Sequence, residues 1–147
     1  MKLKLLVFLK LVFLVNLVFA ENSYKLEIFF TNSTESLQLS EDAKYLHINS
    51  RGVWKDSFGD YGNIKCLGGV LQDNNKSSLN AYCEGINQNN IRFWIKLLRE
   101  SDRDAGIGSS VYLNGEKKYK KFVGMKCVYA SKVFGIDAIV NQKCKLN

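Results

Sequence analysis

Proline is absent from this sequence, histidine occurs once, and no two cysteines stand close together. The lack of proline, beside many lysines, asparagines and isoleucines, suggests an AT-rich genome and therefore a bacterial protein. Acid–base catalysis by His47 would need a carboxylate or nucleophile nearby, and the sequence places none there. We interpret His47 as a partly exposed strand residue. Zinc sites usually contain closely spaced cysteines, so we predict neither a metal site nor a cofactor.

The first 20 residues have the pattern of a signal peptide. A basic start is followed by an apolar run, interrupted only by Lys10 and Asn16, that closes on Val18-Phe19-Ala20 with small residues at positions −3 and −1. We expect cleavage after Ala20 and a mature single domain over residues 21–147. The alternative is an uncleaved anchor, but Lys10 leaves the run short for a span of about 20 residues. No later stretch is apolar enough to cross a membrane.

The charge of the chain is only mildly basic once the leader is set aside. The formal net charge of +7 includes Lys2, Lys4 and Lys10, and their removal leaves +4. A charge of this size indicates solubility rather than nucleic-acid binding. A local basic cluster remains, formed by Lys117-Lys118-Tyr119-Lys120-Lys121 together with Lys126, Lys143 and Lys145. It suits either a solvated edge of the fold or contact with an anionic component of the cell envelope.

Four cysteines in an exported chain of this size indicate two disulfides and a secreted or periplasmic protein. Cys66 and Cys83 are as far apart in sequence as Cys127 and Cys144. Each pair is centred on turn residues, Asp73-Asn74-Asn75-Lys76 in the first case and Gly135 in the second. Four cysteines allow three connectivities, and the hairpin registers favour Cys66–Cys83 and Cys127–Cys144. The first hairpin would also pair Gly68 with Ala81 and Val70 with Leu79.

The hydrophobic pattern predicts an all-β domain of about eight strands. The only segment with substantial helical character, 91–99, alternates and is rich in β-branched and aromatic residues, which favours a strand over a helix. Many short strands separated by turn signals are typical of a small antiparallel β-barrel, with a β-sandwich as the alternative. The predicted strands cover residues 24–30, 45–48, 64–71, 78–84, 91–99, 111–113, 119–130 and 137–146.

Two polar stretches are predicted to be loops. Residues 31–42 are rich in serine, and Ser40-Glu41-Asp42 could begin a short helix. Residues 100–108 are charged, and Asp102-Arg103-Asp104 resembles part of a calcium loop. It lacks the third acidic ligand and the closing glutamate, so we interpret it as a charged turn.

Glycines and tyrosines recur with a recognisable rhythm in the second half of the chain. Gly106-Ile107-Gly108, Val111-Tyr112-Leu113-Asn114-Gly115, Lys118-Tyr119, Gly124 and Tyr129 resemble secreted antiparallel barrels of the allene-oxide-cyclase and dirigent type. The G-D-Y-G, K-C and Y-C elements within residues 59–83 are similar to uncharacterised bacterial exported proteins of this size. Together these matches cover about a third of the mature chain. Where the cyclase-like barrels usually have a glycine before the Lys-Tyr pair, this sequence has Glu116-Lys117. The resemblance implies a barrel and assigns no catalytic residue.

The candidate ligand-binding residues are Trp54, Tyr61, Trp94 and Arg99. Aromatic side chains beside an arginine at a barrel mouth would suit a small amphipathic molecule, although both tryptophans could equally be core residues. Asp56 and Asp60 flank the same aromatic segment, and we expect structural ion pairs with Arg51 or Arg99.

The sequence therefore favours a monomeric ligand-binding or structural module over an enzyme. Two alternatives stay open. One is a barrel enzyme of the cyclase or isomerase kind, which would need a roomy interior with a polar residue inside. The other is an envelope interaction protein that uses its lysine-rich hairpin. An open or a filled barrel interior would separate binding or catalysis from a purely structural role, and alternation along strands looks the same in both cases.

Overall fold

Eight strands close into an antiparallel barrel in which each strand pairs with the next and the last pairs with the first. The computed structural model describes residues 23–74, 76–101 and 105–146. The strands are β1 (Ser23–Gln38), β2 (Ala43–Asp56), β3 (Tyr61–Asp73), β4 (Lys76–Asn87), β5 (Arg92–Ser101), β6 (Ala105–Gly115), β7 (Lys126–Phe134) and β8 (Asp137–Lys145). One 3₁₀ helix, Lys117–Phe122, lies between β6 and β7. The predicted signal peptide and Asp102-Arg103-Asp104 lie outside the described residues.

The predicted barrel is confirmed, and so is the strand character of residues 91–99. Along β5, Phe93, Ile95 and Leu97 are buried while the residues between them face outward, as the pleat of a strand requires. None of the helical structure in the described part of the chain has the length and apolarity to cross a membrane.

Three predictions about local structure are wrong. Residues 100–108 are not all loop, because β5 continues to Ser101 and β6 begins at Ala105. Residues 31–42 are not a loop, because β1 continues to Gln38 and pairs with β2 as far as Lys44, and residues 40–42 form a bend rather than a helix. The second half of β1 is exposed on both faces. The serine-rich composition of residues 31–42 therefore reflects solvent exposure and not loss of backbone pairing. Residues 119–130 are not one strand, since the 3₁₀ helix occupies their beginning.

Both disulfides form as predicted, and they take up all four cysteines. Cys66 lies directly opposite Cys83, in the register that also pairs Gly68 with Ala81 and Val70 with Leu79. Cys127 lies opposite Cys144 across β7 and β8. Asn74 and Gly135 adopt positive φ angles of 52° and 64° in the two turns, a conformation that asparagine and glycine tolerate best.

The two halves of the barrel interior are filled differently. The half that contains the 3₁₀ helix, which we call the plugged end, holds six of the seven largest buried rings: Tyr24, Trp54, Phe93, Tyr112, Tyr119 and Phe122. Glycine makes room for two of them, since a Cβ at Gly85 would lie 2.2 Å from the Phe93 ring and one at Gly115 would lie 2.5 Å from the Tyr119 backbone. The opposite half, which we call the open end, is lined by smaller side chains and retains a cavity.

Candidate functional site at the open end of the barrel

The plugged end is a packed aromatic core. The 3₁₀ helix inserts Tyr119 and Phe122 between strands, and ring centroids lie 5.1 Å apart for Phe93 and Tyr119 and 4.7 Å apart for Tyr24 and Phe122. Trp54 meets Phe93 edge-on at 5.0 Å. Offset and edge-on contacts at these distances are favourable. This half of the barrel is therefore filled by its own side chains.

The buried carboxylate of Asp60 holds the 3₁₀ helix in place at the plugged end. Asp60, 5 % exposed, accepts hydrogen bonds from the Tyr119 hydroxyl at 2.9 Å and from Gln88 Nε2 at 3.0 Å, and it pairs with Lys118 Nζ. Burial alone would raise the pKa of Asp60, but these hydrogen bonds and the charge of Lys118 outweigh burial and lower it. The carboxylate is therefore ionised and holds the 3₁₀ helix against the β2–β3 turn.

The neighbouring Asp56 shapes that turn. It accepts from the backbone N–H groups of Phe58 and Asp60 and from the Tyr24 hydroxyl at 3.1 Å. Desolvation raises the pKa of Asp56 against the opposing effect of these bonds. The expected ion pairs are wrong, since Asp60 pairs with Lys118 and the charged partner of neither aspartate is Arg51 or Arg99 among the described residues.

The open end contains a cavity of about 270 Å³ inside the barrel. Its wall is mainly aliphatic, and its floor lies near the Cys66–Cys83 disulfide and the Tyr129 ring. Arg99 is the one charged residue among the described residues that line it. The apolar lining consists of Phe30, Leu46, Ile48, Val70, Leu79, Ala81, Leu97, Val133, Ile136, Ala138 and Val140.

Arg99 is held inside this cavity rather than at the surface. It is 8 % exposed, and its Nη1 donates to Ser131 Oγ at 2.7 Å. This contact crosses β6, where the facing position is Gly108, and a Cβ there would lie 2.3 Å from the Tyr129 ring. Glycine at this position thus leaves room for the Tyr129 ring against β6. No carboxylate in the described part of the chain pairs with Arg99.

Tyr129 cannot balance that charge. Burial raises the pKa of its hydroxyl to about 12 although the nearby Arg99 lowers it, so the tyrosine is neutral at physiological pH. Its hydroxyl donates to the backbone oxygen of Leu98 at 3.2 Å.

Several polar atoms at the cavity lack partners among the described residues. They are Gln72 Oε1, Ser77 Oγ and Arg99 Nε, three of five such buried atoms. On the opposite wall the polar groups are paired: Ser50 Oγ donates to Asn32 Oδ1 at 2.6 Å, and Asn32 Nδ2 donates to the Ile136 backbone oxygen at 2.9 Å. The unpaired groups are therefore concentrated on the wall made by β3, β4 and β5.

The four predicted ligand-binding residues do not share one pocket. Trp54 is in the core, where its Nε1 donates to the Asn63 backbone oxygen at 3.0 Å. Tyr61 is 61 % exposed on the outside, and Trp94 lies on the outer face between buried Phe93 and Ile95. Of the four, Arg99 alone lines the cavity.

Sequence reasoning missed Gln72, Ser77 and Ser131. A signal for them was present in the alternation of β3, β4 and β7. Each of these strands has a polar residue at a position where the alternation predicts an inward-facing side chain.

A second depression, of about 530 Å³, lies on the outer surface of β1, β2 and β3. Phe29, Val53 and Tyr61 border it, and Trp54 contributes to its base. It is larger but shallow, and most of its side chains are exposed, apart from the buried Trp54 and Asn87. The interior cavity is the stronger candidate because the barrel wall surrounds it and carries buried polar groups.

The lysine-rich cluster is divided between two surfaces. Lys126, Lys143 and Lys145 are exposed on the outer face of β7 and β8. On the 3₁₀ helix, Lys118 is bound to Asp60, and Lys121 Nζ lies 4.9 Å from the centre of the Phe58 ring. Lysines of the 3₁₀ helix therefore help to hold this helix at the plugged end.

No protein-family model matches the sequence, and no curated protein matches it either. The fold is similar to two solved bacterial structures. One is a conserved protein of unknown function from Rhodopseudomonas palustris, with a TM-score of 0.68 and 10% identity over 83% of this chain and 95% of that one. The other is a β-barrel-like protein from Acinetobacter baumannii, with a TM-score of 0.68 and 9% identity over 82% of this chain and 91% of that one. At this identity the likeness concerns the fold alone. It agrees with the resemblance to uncharacterised bacterial barrels, and the resemblance to the allene-oxide-cyclase and dirigent type stays a prediction.

Proposed function

We propose that this protein is an extracytoplasmic binding module that takes a small, largely apolar molecule into the open end of its barrel. The observation that carries this proposal is the interior cavity of about 270 Å³ with an aliphatic wall. Binding sites for small molecules are concave, mostly apolar and furnished with a few polar groups, and their volumes start near 300 Å³. At about 270 Å³ this cavity is slightly smaller than that range, so it would take a small ligand.

Binding fits the lining better than catalysis does. Among the described residues around the cavity, the ionisable side chains are Arg99 and Tyr129. The guanidinium has no acceptor atom, and Tyr129 keeps its proton at neutral pH because burial raises its pKa to about 12. Neither can act as a general base without losing a proton. The alternative of a cyclase-like enzyme would have to work through cavity shape alone.

The test is calorimetric titration with 1-octanol as a neutral amphipathic probe. We expect saturable binding to one site and at least a tenfold loss in Val133→Trp, which places an indole in the cavity. Val128→Trp is the matched control, because Val128 is on the same strand but faces outward, and it should bind as the natural protein does. Absence of saturable binding, or equal binding by Val133→Trp, would refute the proposal.

The proposed location rests on the two disulfides and the N-terminal pattern. Disulfides persist in oxidising compartments such as the bacterial periplasm. Expression of the full chain in a bacterium, followed by fractionation and N-terminal sequencing, should give a periplasmic or secreted protein that begins at Glu21. A cytoplasmic protein with an intact N-terminus would contradict it.

A further inference from the structure

We propose that the cavity selects amphipathic molecules with a carboxylate head group, and that Arg99 binds this head. The inference rests on the proposed function, since it names the chemical class of ligand for the same cavity. At the open end, the buried guanidinium of Arg99 faces no carboxylate among the described residues. A buried charge is costly unless an opposite charge or several hydrogen bonds compensate for it.

The geometry leaves part of the guanidinium without a hydrogen-bond partner. Its Nη1 is used by Ser131, which fixes the position of the side chain, while Nε has no partner among the described residues. A guanidinium presents its donors in a planar fork that matches a carboxylate in two-point contact. A bound carboxylate would supply both the missing charge and the missing acceptor.

A second polar side chain lies beside this group. Ser77, 2 % exposed, has no partner for its hydroxyl within the described chain. Leu79 lies opposite Arg99 across β4 and β5, so Ser77, two residues along the same face, is the diagonal neighbour of Arg99, about 7–8 Å away between Cα atoms. A head group of a few atoms can span that separation.

Gln72 extends the polar wall by one strand. It lies directly opposite Ser77 across β3 and β4, and its side-chain oxygen is also unpartnered among the residues described. That oxygen is an acceptor and cannot itself bind a carboxylate, so Gln72 adds polarity rather than a contact to the strip that it forms with Ser77, Arg99 and Ser131 around one side of the mouth. The facing side carries Phe30, Ile48 and Ala138, which would receive an apolar tail.

The rest of the barrel shows that such unpaired groups are not a general property of its interior. Deeper in the barrel, Ser110 Oγ donates to Gln142 Oε1 at 2.6 Å, and Gln142 Nε2 donates to the Tyr112 hydroxyl at 3.4 Å. Buried polar groups are normally satisfied in this way. The contrast assigns the strip at the open end to a ligand rather than to the fold.

The experiment compares octanoate with 1-octanol at pH 7 by calorimetry, in the natural protein and in variants. We expect octanoate to bind at least tenfold more tightly than octanol. Arg99→Met should lower octanoate affinity about 10- to 100-fold while octanol binding persists, and Arg99→Lys should restore part of the preference. Ser77→Ala should weaken octanoate binding several-fold. Arg51→Met, which removes an exposed arginine, controls for long-range attraction and should change nothing.

The outcomes separate the two proposals. If octanol and octanoate bind equally and Arg99→Met changes neither, the carboxylate preference is refuted and the binding function stands. If neither probe binds, both are refuted. If Arg51→Met lowers octanoate affinity as much as Arg99→Met does, the attraction is non-specific and the assignment to Arg99 is refuted.

Discussion

Asp60 shows how one residue holds together two segments that are far apart in sequence. It lies in the β2–β3 turn, and its partners Lys118 and Tyr119 belong to the 3₁₀ helix. A buried carboxylate without partners would be unstable, and three donors make its burial tolerable. The lowered pKa of Asp60 records that balance.

Asp60→Asn should lower the free energy of unfolding by about 2 kcal/mol at pH 6. Because the folded pKa of Asp60 lies below its unfolded value of about 3.9, the stability it contributes is present above that value and is lost as pH falls through the folded pKa. Urea unfolding at several pH values should therefore show the difference between the two proteins shrinking below pH 4. Glu41→Gln, at an exposed bend, should show no such difference. A constant difference between pH 6 and pH 3 would contradict this role.

Arg99 is expected to contribute little to folding. A buried guanidinium carries a desolvation cost that its single hydrogen bond to Ser131 offsets only in part. Arg99→Met should therefore leave the free energy of unfolding within about 1 kcal/mol of the natural value. Ile95→Ala, in the same strand and fully buried, should cost about 3 kcal/mol and calibrates the measurement. A loss above about 2 kcal/mol in Arg99→Met would make the arginine structural.

At the scale of elements, each disulfide fixes one hairpin of the barrel. Each joins cysteines separated by 17 positions, and a loop of about this length is worth roughly 3 kcal/mol on the chain-entropy model. Replacing Cys127 and Cys144 together with alanine should lower the free energy of unfolding by about that amount, measured by urea denaturation. A change below 1 kcal/mol would show that the hairpin needs no covalent closure. Peptide mapping without reduction should recover Cys66 linked to Cys83.

The 3₁₀ helix is the element that closes one end. Its Phe122 ring is buried against Tyr24 and Tyr112, and removing a ring from such a site usually costs about 3–5 kcal/mol. Phe122→Ala should therefore lower stability by that amount, seen as a fall in the urea midpoint followed by tryptophan fluorescence. Val123→Ala, next in sequence but exposed, should stay within about 0.5 kcal/mol. Equal effects of the two substitutions would mean that the Phe122 ring is not packed in the core.

The hairpins and the 3₁₀ helix differ in how far the sequence predicts them. The hairpins are predictable because alternation, turn residues and cysteine spacing all act over a short range, and they fix Cys66 opposite Cys83. The 3₁₀ helix is not, because Tyr119 and Phe122 are stabilised by rings that come from β1, β5 and β6. The same limit applies to the site. The sequence predicts Arg99 as a candidate, but its hydrogen bond with Ser131 forms only once β5, β6 and β7 are adjacent.

At the scale of the whole molecule, the packed aromatic core and the cavity occupy opposite ends of the barrel. Its plugged end has aromatic packing and a fastened helix, whereas its open end has small aliphatic side chains and unpaired polar groups. A tryptophan reporter is therefore poorly placed for ligand binding, since Trp54 is in the plugged end and Trp94 faces outward. The position of a bound ligand must be read from the cavity itself.

Methyl-resolved NMR of the protein during titration with octanoate measures the position of a bound ligand directly. We predict saturable shifts for Val70, Leu79, Leu97 and Val133, which line the cavity. Leu26 and Ile95 in the plugged half, and Val53 beside the outer depression, should stay unchanged. Shifts centred on Val53, or no saturable shifts at the open end, would contradict the assignment of the cavity as the binding site.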